Sequence, residues 1–428
     1  MAFASPLLIS VPRSHAPALN RRCIRAPIMA NSSEKSTRLV TFLGKGGSGK
    51  TTAAVLAAQH YAMEGLNTCL VVHSQDKTAE ELMGCKIGNS PTECKNNLSI
   101  VRLETSKMLL EPLERMKKVD ARLNLTQGVL DGVVGEELGV LPGMDSIFPA
   151  LVLEKLVHFL PRVNYRSRTN FDIVVYDGIS SEETLRLIGA TERARWYLKY
   201  IRSLAEKTDI GRLTAPSLLK LAYESANLND GGSSDGKTST EIWNDIEQIL
   251  EKASVSFADS SKFGCYLVMN PSSGASIKSA MRYWGCAIQA GTQISGAFGV
   301  GSQSSLSIKE LSQQFSPLAF ACIPYLSTGS SLDWDTIINS LSNDAKRILH
   351  SATDDSQPSV RFDTSQKSVT LFMPGFEKAE IKLYQYRGGA ELLVEAGDQR
   401  RIIRLPHAMQ GKVGGAKFLN SSLVVTLR

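Results

Sequence analysis

Short apolar runs alternate with longer helical stretches through the first 350 residues of this chain. The runs have the length of buried strands, and the stretches between them space apolar residues along one helix face. The predicted strands are residues 38–42, 67–72, 98–103, 171–177, 264–269, 294–300 and 318–323. Helical periodicity is predicted over residues 52–58, where a helix starts, over 106–161 with a break at Gly143, over 182–200 and on to about 228, and over 241–253, 276–289 and 332–350. This alternation predicts an α/β fold with a doubly wound, mainly parallel sheet.

Beyond residue 352 the apolar pattern changes to a period of two. Residues 353–360 are polar and predict a linker, after which five alternating segments follow. These segments are residues 368–373, 381–386, 391–395, 400–405 and 423–427. Alternation of this kind is typical of half-buried antiparallel strands. We therefore predict an α/β domain over residues 36–352 and a small all-β sandwich over residues 361–428.

The first 33 residues have the composition of a targeting segment. They contain four arginines and no acidic residue, and they are rich in serine, alanine and proline. Such a segment is typical of an organelle transit peptide. We expect import into the chloroplast stroma, with the mitochondrial matrix as the alternative. Because this segment holds most of the formal net charge of +6, the charge balance does not favour nucleic-acid binding.

Two further classes of structure are disfavoured by the composition. No stretch of about 18 uninterrupted apolar residues is present, so no transmembrane helix is predicted. The seven cysteines form no C-x-x-C pair, which argues against a structural zinc site. Cys69, Cys265 and Cys322 lie in apolar runs and are expected to be buried thiols. Cys85 and Cys94 share a loop-like region, where a redox pair is an open alternative.

A glycine-rich segment between the first predicted strand and helix carries the clearest chemistry. Residues 44–51 fit the pattern G-x-x-x-x-G-K-[ST] of a phosphate-binding loop. Backbone N–H groups of such a loop surround phosphate oxygens at the N-terminus of the next helix. Lys50 is therefore a candidate for the β- and γ-phosphates of ATP, and Thr51 for Mg²⁺. The candidate nucleotide-binding residues of the loop are Gly44, Lys45, Gly46, Gly47, Ser48, Gly49, Lys50, Thr51 and Thr52.

Two further residues extend this candidate site. Asp177 ends the predicted strand 171–177, and an aspartate in that position commonly joins the Mg²⁺ shell beside a phosphate-binding loop. The alternative is an aspartate that only caps the strand. Lys45 is a second cation early in the loop, which phosphate binding does not require. It is either a solvated loop lysine or a lysine that reaches a nucleotide, including one bound by another subunit.

Residues 38–350 resemble the ATPase family of arsenite pumps and tail-anchored-protein-targeting factors. The residues that carry this resemblance are Gly44 to Thr52, Leu141-Pro142-Gly143, Tyr176-Asp177-Gly178 with Glu183-Thr184-Leu185-Arg186, and Ile323-Pro324. The tail resembles an alpha-crystallin (small heat-shock protein) domain, above all in Met373-Pro374-Gly375-Phe376 before Ile381-Lys382-Leu383. Together with the transit peptide, the combination is similar to a plastid subfamily of the targeting ATPases, the d-type paralogue.

The resemblance implies a homodimer that binds and hydrolyses ATP with Mg²⁺. Lys45 would contact the nucleotide of the partner subunit, and Asp177 would belong to the second switch. Asn270 and Pro324 are candidates for the adenine side of the nucleotide. Pro324 is equally well explained as a proline that ends a strand.

The resemblance also implies clients, which would be hydrophobic segments or tail-anchored membrane proteins. Helical regions within about residues 106–165 and 187–255 would hold them, although ordinary helical core is the other interpretation of those regions. The zinc-binding C-x-x-C of the targeting factors is absent from this sequence. Metalloid transport is disfavoured, because the chain is not a tandem pair of ATPase halves and has no clustered thiols.

The first switch departs from the family pattern D-P-A-H, which supplies the carboxylate that positions the attacking water. Gln75 stands in the place of the aspartate, and Asp76 follows it. A glutamine side chain orients a water but does not take its proton. Gln75 and Asp76 are therefore both candidate catalytic residues beside Lys45, Lys50 and Asp177, and slow turnover is one consequence. The alternative function is a nucleotide-gated chaperone or scaffold with little hydrolysis.

Overall fold

The computed structural model describes residues 37–104, 171–191, 238–301, 305–328, 332–350 and 358–428, together with a few further positions between 118 and 207. The predicted transit peptide lies outside these residues, as do most of the two predicted client regions, 106–165 and 187–255. The predictions made for those segments therefore stay predictions.

The α/β domain is built on one eight-stranded sheet. Its strands are β1 (Arg38–Leu43), β2 (Thr68–Val72), β3 (Thr92–Lys95), β4 (Leu98–Arg102), β5 (Ile173–Asp177), β6 (Phe263–Met269), β7 (Gly296–Val300) and β8 (Phe320–Ile323). They pair in the order β3-β4-β2-β5-β1-β6-β7-β8, and every pair is parallel except β3 with β4. Every residue of β2, β5 and β6 is buried, as expected for a parallel sheet covered on both faces. The fold class predicted from the alternation is confirmed.

Helices follow most of these strands. Within the described residues they are α1 (Lys50–Met63), α2 (Thr78–Met83), α3 (Ser181–Ile188), α4 (Ser239–Ala258), α5 (Gly274–Ala290), α6 (Ser305–Gln314), α7 (Trp334–Ser340) and α8 (Asn343–His350). Helix α1 is buried from Thr52 to Ala62, and its alanines allow close approach to the strands it contacts. The prediction of one helix over residues 332–350 was wrong. The hydroxyl of Ser342 accepts a hydrogen bond from the N–H of Ala345 and caps a second helix there.

The C-terminal domain consists of two antiparallel sheets, ordered β14-β15-β10-β9 and β11-β12-β13. Its strands are β9 (Val360–Asp363), β10 (Ser368–Phe372), β11 (Ile381–Tyr386), β12 (Glu391–Ala396), β13 (Gln399–Arg404), β14 (Val413–Leu419) and β15 (Ser422–Leu427). The predicted all-β sandwich is confirmed. Strands β9 and β14 were not predicted. Both are sheet edges in which every residue is exposed or half-buried, so their sequences lack a buried apolar face.

Helix α5 joins the two domains. The ring of Trp284 lies 5.2 Å from that of Phe372, and the guanidinium of Arg282 lies 4.0 Å above the ring of Phe376. Nη1 of Arg282 also contacts Oε2 of Glu380 at 2.6 Å. Buried apolar residues of both domains form one continuous core across this junction. The C-terminal domain is therefore packed onto the α/β domain as well as tethered to it.

The structure settles the state of several cysteines. Cys85 and Cys94 form a disulfide bond, so the paired alternative holds for them. Cys69 and Cys265 are buried thiols as predicted, whereas Cys322 is only half-buried. Among the described residues, none of the helices is long and apolar enough to cross a membrane.

Candidate functional site

The candidate site lies where β1 ends and α1 begins. Gly44 has no room for a side chain, because an added Cβ would lie 2.2 Å from the carbonyl oxygen of Val268 and 2.4 Å from Oγ of Ser48. Gly47 and Gly49 adopt left-handed backbone angles, with φ of 76° and 94°. These conformations turn the backbone between a buried strand and a buried helix. The result is a loop whose middle residues, 45–47, face solvent at a helix N-terminus.

Lys50 is the first residue of α1 and is half-buried. Its Nζ donates a hydrogen bond to the carbonyl oxygen of Gly44 at 3.1 Å, so the side chain folds back along the loop. Burial lowers the pKa of the Lys50 ammonium, while the carboxylates of Asp177 and Glu182 act in the opposite direction. The ammonium is therefore held at the base of the loop, where a lysine of a phosphate-binding loop meets its anion.

Asp177 ends β5, which lies between β2 and β1, so its carboxylate is adjacent to the loop. Its side chain is buried, and Oδ2 accepts no hydrogen bond from the part of the chain that the structure describes. Burial raises the pKa of the Asp177 carboxyl to about 6, against the hydrogen bond from Thr51 and the charge of Lys50. Asp76 also raises the pKa of Asp177, which places the two carboxylates within electrostatic reach.

These residues fit a Mg²⁺ ion. The hydroxyl of Thr51 lowers the pKa of the neighbouring Asp177 carboxyl, and both side chains offer hard oxygen ligands. The unpartnered Oδ2 of Asp177 is a buried acceptor of the kind that a cation satisfies. The structure thus brings together the two residues predicted for the metal from distant parts of the chain.

The start of α3 is tied to the loop by a residue that sequence reasoning did not single out. Oγ of Ser181 accepts a hydrogen bond from the N–H of Gly44 and donates one to its carbonyl oxygen, both at 2.8 Å. Ser180 caps the same helix by accepting from the N–H of Glu183 at 3.1 Å. The S-x-x-E spacing of Ser180 and Glu183 is a sequence signal for this helix start. Nothing in the local sequence indicates that Ser181 reaches residue 44.

His73 and Tyr176 form a second contact that the sequence did not reveal. The N–H of His73 donates to the carbonyl oxygen of Asp177 at 3.0 Å, and its Nδ1 lies 2.8 Å from the hydroxyl of Tyr176. Burial lowers the pKa of the His73 imidazole to about 4, so the ring is neutral at neutral pH. The two residues hold the carboxyl ends of β2 and β5 together beside Asp177.

Gln75 and Asp76, the candidates for positioning water, are both exposed. The carboxylate of Asp76 accepts hydrogen bonds from the N–H and the hydroxyl of Thr78, and these bonds lower its pKa. Arg102 holds the preceding turn by donating to the carbonyl oxygen of Ser74 and to Glu80. In this geometry Asp76 orders the start of α2, and Gln75 extends into solvent.

The remaining candidates lie around the rim of the same sheet edge. Lys45 is exposed, and its carbonyl oxygen accepts from the N–H of Ser48. Asn270 follows β6 and is exposed, and its Oδ1 accepts from the N–H of Ser272 in a local turn. Pro324 follows β8 and is half-buried. Strand β7 lies between β6 and β8, so Asn270 and Pro324 belong to different parts of this edge.

Comparison with known proteins agrees with this geometry. A family model for anion-transporting ATPases matches residues 37–291. The chain belongs to this ATPase family. A second model, for an HSP20-like domain found in the same ATPases, matches residues 364–427. Both resemblances drawn from the sequence, to the pump and targeting ATPases and to an alpha-crystallin-like domain, are confirmed.

The curated relatives are distant. A protein of Chlorobaculum tepidum, named as an arsenical pump-driving ATPase, is 27% identical over 248 residues, which are 57% of this chain and 56% of its own. One with the same name from Prosthecochloris vibrioformis is 28% identical over 167 residues, 39% of each chain. The ATPase ASNA1 homolog 1 of Paramecium tetraurelia is 25% identical over 165 residues, 38% of this chain and 46% of its own. The chain thus spans about half or less of these relatives' lengths.

Proposed function

We propose that this member of the family is an ATP-hydrolysing switch that works as a homodimer and couples its nucleotide state to the binding of hydrophobic or membrane-protein clients in the plastid. The observation that carries the proposal is the assembly of Lys50, Thr51 and Asp177 around one glycine loop, with Asp177 buried and unsatisfied at Oδ2. That assembly has the parts needed to bind a magnesium nucleotide.

Each residue has a defined task in the proposed site. Loop amides and Lys50 would bind the phosphates, and Thr51 and Asp177 would hold Mg²⁺. The bound Mg²⁺–ATP supplies the phosphoanhydride bond whose cleavage drives the switch. Ser181 hydrogen-bonds to Gly44, so a shift of the loop would move the start of α3.

Helix α3 also contacts α5 and the C-terminal domain, so a movement of α3 would be transmitted to that domain. Glu182 accepts a hydrogen bond from the hydroxyl of Tyr283 on α5 at 2.6 Å. Arg186 lies 3.6 Å from the carboxylate of Asp398 in the C-terminal domain. We propose that this contact couples the nucleotide state to the C-terminal sandwich.

Replacement of Lys50 by alanine is expected to reduce ATP turnover at least about 100-fold, because it removes the one half-buried cation held at the base of the loop. Phosphate release and fluorescent-nucleotide binding measure the two effects. Lys278→Ala is the matched control, since Lys278 is an exposed lysine on α5. Unchanged turnover in Lys50→Ala, with the control also normal, contradicts the proposed site.

Replacement of Lys45 by alanine tests the proposed dimer. Lys45 is exposed at the loop tip, where a side chain is able to reach a second subunit. We expect at least about tenfold slower turnover with little change in thermal stability, because the residue has no role in the core. Turnover should also become less dependent on protein concentration. A Lys45→Ala protein with normal turnover and normal nucleotide-dependent association rules out the cross-subunit role.

A specific observation also favours a second candidate function, a nucleotide-gated chaperone or scaffold with little hydrolysis. Asp76 is engaged by Thr78 and Gln75 is solvent-exposed, so neither is positioned in this geometry to act on a water. Turnover of the wild type, Gln75→Ala and Asp76→Ala discriminates the two functions. Nucleotide binding without turnover above background favours the scaffold. A loss of turnover in either variant favours the hydrolytic switch.

The predicted client regions, 106–165 and 187–255, lie largely outside the described residues, so the client class is tested by capture. We propose the chloroplast stroma, with the mitochondrial matrix as the alternative. Capture from stroma with the nucleotide trapped tests the client class. Enrichment of tail-anchored membrane proteins supports the proposal, whereas enrichment of soluble proteins alone contradicts it.

A further inference from the structure

The C-terminal ends of α1 and α8 meet at two histidines. Nε2 of His60 lies 3.0 Å from Nε2 of His350, and the two rings meet edge to face. Glu64 lies one helical turn beyond His60, on the same face. One ligand atom from each of these three residues lies within 4.8 Å of the other two. The cluster lies at the opposite end of α1 from Lys50 and Thr51. None of its three residues is assigned to the nucleotide.

We propose that His60, Glu64 and His350 form a binding site for a divalent transition-metal ion, with Zn²⁺ as the best match. Two imidazole nitrogens and one carboxylate oxygen are a common zinc ligand set. Bonds of about 2.05 Å at tetrahedral angles place two nitrogen ligands about 3.3 Å apart. The Nε2 atoms therefore need to separate by only a few tenths of an ångström.

The scaffold around the cluster holds its ligands in place. The ring of His60 is 1% exposed within the core around α1. Next to His350, the carbonyl oxygen of Leu349 accepts hydrogen bonds from the hydroxyls of Tyr61 and Tyr266, at 2.8 Å and 3.1 Å, and from Arg38 at 3.2 Å. The backbone that carries His350 is thus fixed to α1, β6 and β1. Preorganised ligands lose little conformational entropy when an ion binds.

One side of the cluster is buried and the other faces solvent. His60 is buried, while His350 and Glu64 are exposed, so an ion has access from solvent. A solvent molecule would complete four-coordination on that side. Lys346, half-buried on α8, is the nearby cation and opposes binding, which predicts moderate affinity. Mg²⁺ and Ca²⁺ prefer sites made wholly of oxygen and are expected to bind poorly.

The simpler explanation is a hydrogen bond between the two imidazole rings. That bond accounts for the two histidines but gives the nearby carboxylate of Glu64 no task. An ion accounts together for three ligating groups, from the ends of α1 and α8, whose ligand atoms lie within 4.8 Å of one another. A bound ion would connect α1, whose first turn carries Lys50, to the last described helix before the predicted linker.

The test is zinc binding to the full chain after metal is stripped with chelator. We expect one equivalent of Zn²⁺ by calorimetry and elemental analysis, and a higher thermal midpoint. His350→Ala should weaken binding at least about tenfold and abolish the thermal shift, and Glu64→Gln should have a smaller effect. His350 is the main target because its side chain is exposed. His60 is buried, so His60→Ala would also destabilise the fold. His407→Ala, an exposed histidine of the C-terminal domain, is the matched control.

Two further readouts separate this site from other zinc ligands. Co²⁺ bound in place of Zn²⁺ should give visible absorption bands of a nitrogen and oxygen site without thiolate charge transfer. Asp177→Asn should keep the zinc stoichiometry, because the nucleotide site is separate. The proposal is overturned if the affinity of the wild type for Zn²⁺ does not exceed its affinity for Mg²⁺. It is also overturned if His350→Ala binds Zn²⁺ as tightly as the wild type.

Discussion

Asp177→Asn is expected to abolish ATP turnover and yet to stabilise the ligand-free protein above pH 6. The carboxylate is fully buried, and burial raises its pKa to about 6 from an ordinary value of 3.8. A rise from 3.8 to about 6 corresponds to a penalty of roughly 3 kcal/mol for holding the charge in the folded state. Asparagine has nearly the same shape and carries no charge. The variant therefore loses the proposed Mg²⁺ ligand and gains up to roughly that amount of unfolding free energy.

The pH dependence follows from the same shift. Between about pH 3.8 and pH 6 the folded Asp177 binds more protons than the unfolded chain, so wild-type stability falls as the pH rises through this window. The advantage of Asp177→Asn should accordingly be small near pH 4 and complete above about pH 6. Urea unfolding without Mg²⁺ or nucleotide, at several pH values from 4 to 8, measures it.

The control for this experiment is an exposed carboxylate. Asp344 lies on α8 in a surface pair with Arg347, and Asp344→Asn should show no such pH-dependent gain. An Asp177→Asn protein that is less stable than the wild type at pH 8 contradicts the buried-charge argument. Added Mg²⁺ should stabilise the wild type and leave the variant unchanged, because only the carboxylate attracts the ion.

The apolar periodicity was sufficient to predict most of the sheet. Strands such as β2, β5 and β6 are buried on both faces of the sheet, so their sequences are nearly continuous apolar runs. The strands that escaped prediction, β3, β9 and β14, contain no buried residue. Their position is determined by backbone pairing with a neighbouring strand, which leaves no pattern in their own residues.

The candidate site divides in the same way. The glycine loop and Asp177 were predicted because phosphate and Mg²⁺ chemistry requires particular residue types beside a strand end. Ser181, His73 and Tyr176 were not, since their contacts depend on which strands become neighbours. The contact of Asp76 was not predicted either. Its sequence position suggests catalysis, whereas in the structure its carboxylate accepts a hydrogen bond from Thr78.

The sequence also did not predict that the C-terminal domain packs on α5. A substitution in this contact has the second large expected effect. Gly285→Ala is expected to weaken the packing of the C-terminal domain on α5. An added Cβ would lie 2.2 Å from the carbonyl oxygen of Pro374 and 2.6 Å from the ring of Phe376. Backbone atoms do not yield as a flexible side chain does, so the domain itself must shift. Overpacking of this kind costs about 1–3 kcal/mol.

Three measurements follow from that argument. Gly285→Ala should lower the free energy of unfolding by about 1–3 kcal/mol and speed proteolysis in the predicted linker, residues 353–360. Gly274→Ala is the matched control, because Gly274 begins the same helix and an added Cβ there meets nothing within 4 Å. If the C-terminal domain carries the proposed coupling, ATP turnover of Gly285→Ala should lose its response to clients while nucleotide binding stays normal. A variant that resists proteolysis as well as the wild type does would show that α5 and the sandwich adjust to each other, and that the close approach at Gly285 is not what holds them together.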